Sequence, residues 1–226
     1  IKGKAVDSFT MMFLQLWDVT ERDGEEYRRF LCPSEFHMPE GMDYGGFVIP
    51  YADSPLDGEN VGESVYLDIL GRSRRYVHIT TPYLILDDTT LAALKFAAKR
   101  GVEVIIIMPH IPDKLYAYLL ARSYYAELLR AGVQIYEYTP GFIHAKMFTS
   151  DDEKAVVGTI NLDFRSLYLH FECASYFFRN AVVMDVEEDF QKTLAKSERI
   201  TLENCRKYPF IKRFVGKALR ILAPLM

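Results

Sequence analysis

Three apolar runs of strand length, separated by helical patterns, constrain this chain more than any other feature. RYVHITTPY at 75–83, VEVIIIMP at 102–109 and VQIYEY at 133–138 read as strands, the middle one apolar almost throughout. A continuous apolar run suits a strand covered on both faces, in a parallel region with helical crossovers. The stretches between supply those crossovers. TLAALKFAAKR can be capped by Asp87 or Asp88 and stopped by Gly101, and KLYAYLLARSYYAELLRAG ends at Gly132. Helical patterns at 4–18, 63–72 and 185–197 extend the reading, as do strands at VIPY (48–51) and HFECASYFF (170–178). The fold class is α/β, a mixed β-sheet sandwiched between helices. Functional groups should gather at one end of such a sheet, where strands meet loops.

The third strand leads into HAKMFTSDDEKAVVGTIN, residues 144–161. His144 and Lys146 are two apart, so on a strand they would share a face, and Thr159 and Asn161 would share one likewise. An imidazole beside a fixed cation suits a phosphodiester. Histidine can attack phosphorus or pass a proton near neutral pH, while lysine and amide donors hold the non-bridging oxygens. Such a set carries its own positive charge, so neither metal nor cofactor is expected. A buried histidine with a snorkelling lysine would explain a bare HxK. The full HxKx4Dx6GTxN is far more demanding.

That string resembles the HKD signature of the phospholipase D superfamily. The resemblance implies that His144 is a phosphohistidine nucleophile or its partner general acid. It implies phosphate binding by Lys146 and Asn161, with Thr159 in the same phosphate site. Glu172 falls where the family has a carboxylate that orients a catalytic histidine, fixing its tautomer and stabilising imidazolium. Asp151 is then structural. Tyr83, after the TP break, is a further substrate-binding candidate, and His110, Asp113 and Lys114 leave a neighbouring strand end in PHIPDK. In NLDFRS, Asp163 and Arg165 could pair or brace the site, or Arg165 could meet a phosphate.

The longer stretches GFIHAKMFTSDD, VGTINLDFRSLYLHFECA, TPYLILDD, PHIPDK and the PLM end are similar to bacterial cardiolipin synthases. This implies a phosphatidyltransferase that joins two phosphatidylglycerols into cardiolipin and releases glycerol. The implied setting is an anionic membrane surface at the cytoplasmic face of a bacterial cell membrane, with an anchor upstream. Such enzymes use two HKD motifs. Here His37, His78, His110 and His170 lack the spacing, so His144 stands alone. The expectation is one half-site, inactive as a monomer, completed by a first repeat or by a second copy in a homodimer. Residues 1–18 would then be the last helix of that first repeat, 19–47 a linker, 48–198 the second catalytic domain and 199–226 a basic tail.

Charge bears on the partner. The chain carries a net charge of −4, but residues 1–70 hold 14 acids against 5 bases, whereas 199–226 holds 7 bases against one acid. That distribution lacks the broad basic face of a duplex binder, so no nucleic acid is expected. Cys32, Cys173 and Cys205 show no metal spacing and read as free thiols of a reducing compartment. On a helix, PFIKRFVGKALRILAPLM separates apolar residues from Lys212, Arg213, Lys217 and Arg220. It suits either a terminal helix docked on the core or an interfacial helix on anionic lipid. Rival readings are a single-motif nuclease acting as a dimer, a phospholipase D hydrolase and a non-catalytic lipid-binding module.

Overall fold

The computed structural model describes residues 1–21, 27–31 and 45–223. Most of the expected linker, with Cys32 and His37, lies outside the described residues, as does the final PLM. The chain opens with helix α1 (Ala5–Glu21) and a 3-10 turn at Tyr27–Phe30. Strand β1 (Phe47–Asp53) and helix α2 (Val61–Arg72) precede the regular α/β stretch. That stretch is β2 (Tyr76–Thr80), β3 (Leu84–Ile85), α3 (Asp88–Lys99), β4 (Glu103–Pro109), α4 (Leu115–Ala131) and β5 (Gln134–Tyr138). Then come β6 (Met147–Ser150), β7 (Lys154–Gly158), β8 (Leu162–Asp163), α5 (Phe164–Tyr168) and β9 (Glu172–Phe178). Helix α6 (Val182–Leu194), β10 (Ser197–Ile200), α7 (Leu202–Lys207) and α8 (Phe210–Leu222) complete it.

Eight strands form one mixed sheet in the order β1-β9-β7-β6-β2-β4-β5-β10. β2, β4 and β5 are parallel neighbours, and α3 and α4 make the crossovers the apolar runs imply. The Asp87 side chain caps α3 by accepting from Thr90 N at 2.8 Å, and Gly132 ends α4 at φ 102°. The other sheet pairings are antiparallel, which lets short connections such as the β6–β7 hairpin serve.

Strand alternation divides the core. Val104, Ile106 and Met108 face one layer with Tyr66, Leu94, Leu120 and Tyr125. Ile105 and Ile107 face the other, against Phe190 of α6. Helix α6 begins at Val182, three residues before the sequence pattern, and its Val183 is buried with Ala155 and Phe177. Under α6 the buried His78 stacks on Phe190 at 4.6 Å, and its Nδ1 meets Glu187 Oε1 at 2.8 Å. That histidine is part of the packing, as its lack of motif spacing suggests.

β10 and α7 are additions to the sequence reading. SERI carries only one strongly apolar side chain, yet it pairs with β5 and extends the sheet to residue 200. The segment 199–226 is therefore partly continuous with the sheet. Helix α8 packs along α4, where Gly216 lies against Leu119 and Leu219 joins the core.

Candidate active site

Sheet topology alone brings the candidate residues to one end. β6 and β7 pair antiparallel with Met147 opposite Val157, so the start of β6 and the end of β7 coincide. β2 is antiparallel to β6 with Thr80 opposite Met147, so Tyr83 emerges there too. Parallel pairing of β2 and β4 brings His110 and Asp113 alongside. β9 enters from the same end, since Gly158 pairs with Ala174.

His144 and Lys146 do not lie on the strand. They precede β6 in extended chain, and Thr159 and Asn161 follow β7. One bond carries each ladder past the strand ends in the same register: Gly158 N donates to Lys146 O at 3.3 Å, and Thr159 N donates to Cys173 O at 2.9 Å. Gly158 is required at this crossing. A Cβ there would fall 2.4 Å from the Ala174 side chain and 2.5 Å from Cys173 O. Tyr66 of α2 donates to Ile160 O at 2.9 Å and fixes the residue between Thr159 and Asn161.

His144 is exposed, with its ring 5.4 Å from Phe142 and edge-on to Tyr83 at 6.4 Å. Partial burial lowers its pKa from the ordinary 6.5, helped by the Lys146 and Lys114 cations and opposed by Asp113. Lys146 Nζ donates to His144 O at 2.7 Å. Its pKa is lowered by burial, while Glu172, Asp163 and Asp113 pull it upward. Those three acids thus surround the lysine electrostatically.

The remaining candidates have clear partners. Asp151, at φ 57°, accepts from the backbone N of Arg74 and Arg75 at 2.8 Å and of Tyr76 at 3.0 Å. Burial raises its pKa, but the three N–H groups win and hold it below the usual carboxylate value. Asp163 does not pair with Arg165. It caps α5, accepting from Ser166 N at 2.7 Å, and burial raises its pKa. Arg165 Nε instead donates to His170 Nε2 at 2.7 Å. The Glu172 carboxylate accepts from the Thr159 hydroxyl rather than contacting His144, and the ring close to it is His170, 3.9 Å away. Asn161 Nδ2 donates to Ser166 Oγ at 2.8 Å, leaving Oδ1 buried without a partner. Tyr83 donates to Asp113 and lies under Lys114 Nζ at 5.5 Å.

Sequence reasoning missed His170 as a partner of Arg165, and it missed the α6 wall. Asp185, Val186 and Asp189 line an open cavity of about 420 Å³ beside His144 and Lys146. A second cleft, about 630 Å³, runs from Phe9, Phe13 and Leu16 of α1 to Thr159 and Glu172. Neither wall has a sequence signal, because helix docking decides it. Among the described residues no acid, histidine and cysteine cluster suits a metal ion.

The fold is that of phospholipase D superfamily members. A phosphatidylserine synthase from Haemophilus influenzae superposes with TM-score 0.64 at 16% identity, over 79% of this chain and 47% of that one. A phospholipase D family member, Nuc from Salmonella typhimurium, does so with TM-score 0.58 at 18% identity, over 69% of this chain and 99% of that one. At the level of sequence, the family described as "Cardiolipin synthase, PLD-like domain" matches residues 66–194, and the chain belongs to that family. A cardiolipin synthase of Alkalihalophilus pseudofirmus is 34% identical over the whole chain, which covers 44% of that protein. An uncharacterized Streptococcus mutans protein is 52% identical, with 48% of it covered. The chain spans about half the length of the curated relatives it matches.

Proposed function

We propose that this chain supplies one of two half-sites of a cardiolipin-forming phosphatidyltransferase. A histidine nitrogen attacks the phosphorus of one phosphatidylglycerol, and the bond to the glycerol headgroup oxygen breaks. The second histidine protonates that oxygen, and glycerol leaves. The glycerol hydroxyl of a second phosphatidylglycerol, deprotonated by the same group, then attacks the phosphohistidine. Cardiolipin forms and the histidine is regenerated. Lys146 balances charge on the non-bridging oxygens.

The observation that carries this reading is the gathering of His144, Lys146, Thr159, Asn161 and Glu172 at one sheet end, in a chain of this family. Apolar exposure around the site supports a lipid. Phe142, Ile111 and Leu115 are exposed, and the cleft against α1 borders Thr159 and Glu172. A bacterial membrane surface is the fitting location. Among the described residues no helix is long and apolar enough to cross a bilayer. The alternative reading is a single-motif phosphodiesterase working as a homodimer.

The test is phosphatidylglycerol turnover in mixed micelles. It uses this chain alone and this chain extended by the amino-terminal segment of the Streptococcus mutans relative. Cardiolipin should appear with the extended chain and fall by at least about a thousandfold in His144→Ala. Phosphatidic acid as the sole product would replace the transferase with a hydrolase. Cardiolipin from this chain alone would mean that a second copy completes the site.

A further inference from the structure

A strongly charged concavity lies between α4, α7 and α8, away from His144. It encloses about 310 Å³, and its walls include Arg130, Arg206, Lys212, Arg213 and Lys217. Its one acid is Glu127, which accepts from Lys95 at 2.6 Å and faces Arg220 at 3.3 Å. Arg122, also on the wall, is held 3.5 Å from the buried Glu137. Among the described residues none of the five wall cations first named has a carboxylate partner. Like charges crowded into one concavity repel, and a bound anion relieves that repulsion.

Helix α8 adds a second observation. It docks along a narrow strip: Gly216 on Leu119, Leu219 in the core, and Arg220 over the Tyr124 ring at 3.8 Å. Away from that strip Phe210, Ile211, Phe214 and Ile221 are 76%, 75%, 66% and 82% exposed. Large apolar side chains left this open beside unpaired cations have the composition of an interfacial helix. Register supplies a direction. Gly216 meets Leu119 while Arg220 meets Tyr124 and Glu127, so α8 and α4 run the same way. The Phe210 end of α8 therefore lies toward the Leu115 end of α4. Exposed Ile111 and Leu115 border the contact between Asp113 and Tyr83 there.

The geometry points to this concavity as a docking site for the phosphate of an anionic phospholipid within a bilayer, with the apolar row of α8 seated among the headgroups. Charge complementarity selects the anionic lipid, and the apolar row selects a bilayer over a free anion. The site is separate from the chemistry proposed at His144 and does not depend on it.

Co-sedimentation with vesicles tests the inference, using phosphatidylcholine alone and phosphatidylcholine mixed with phosphatidylglycerol. The chain should bind only the mixed vesicles. The triple variant Arg130→Gln, Lys212→Gln, Lys217→Gln should bind at least about tenfold more weakly. Phe214→Ser should also weaken binding. Circular dichroism would show that each variant is folded. Equal binding to both vesicles, or an unchanged folded triple variant, would overturn the proposal. Inorganic phosphate that shifts the amide signals of Lys212 and Lys217, with no vesicle binding, would replace the lipid by a free phosphate ligand. Retention of a DNA duplex without vesicle binding would overturn it in favour of nucleic acid.

Discussion

His144 is kept neutral by its surroundings. Burial, Lys146 and Lys114 all disfavour imidazolium, against Asp113 alone, so at pH 7 the ring carries a free lone pair. A nucleophile needs that state. We expect the His144 ring protons to titrate below 6.5 by NMR, and Lys146→Met to move the midpoint upward, because one repelling cation is gone. If His144 attacks phosphorus, the acid limb of the rate profile should move the same way. At Asp151 the effect is on stability. Its folded pKa is lowered, so its contribution is full above the unfolded value of about 3.9 and is lost as pH falls through the folded value. Asp151→Ala strands three N–H groups and places alanine at φ 57°. It should cost about 2–3 kcal/mol in urea denaturation at pH 7 and flatten the acid-side loss.

Among the elements, β2, β4 and β5 were legible because each is a run of apolar residues bounded by a glycine or proline break. In the β6–β7 segment the spacing of His144, Lys146, Thr159 and Asn161 was legible, but the ends of the strands were not. Where a ladder ends depends on bonds such as that from Gly158 N to Lys146 O, which no local pattern records. β10 was invisible because edge pairing needs little apolar content. The partner of Arg165 was undecided for the same kind of reason: a helical turn, α5, sets the guanidinium against His170, and spacing alone does not. At the crossing of β7 and β9, Gly158→Ala forces a methyl to within 2.6 Å of Ala174 Cα and still closer to Cys173 O. It should destabilise the fold by about 1–3 kcal/mol in thermal denaturation and displace Thr159. Phosphate analogue binding should therefore fall further than the loss of folded protein explains.

For the whole molecule, the sheet end assembles groups from β2, β4, β6, β7 and β9, so the site exists only when the sheet is complete. The half-site reading adds a surface to be covered. Phe47 and Ile49 of the edge strand β1 are 63% and 51% exposed, and α1 leaves Phe13 and the single tryptophan, Trp17, open. If an amino-terminal half packs there, Trp17 emission should shift to the blue in the extended chain and remain red-shifted in this chain alone. An unchanged spectrum in an active extended chain would place the second half elsewhere.

The hairpin that carries the candidate groups is clamped at its blunt end, with strands of four and five residues between that end and Lys146 and Thr159. Asp151 is the clamp, and the chain it grips, Arg74 to Tyr76, is the entry to another strand. The aspartate of the motif thus resembles the pivot pin of a pair of tongs. On the proposed reading it does not meet what the tongs hold, yet it limits how far the tips can wander. Its loss would show as faster hydrogen exchange at three amides distant from the site, and only through that as slower chemistry.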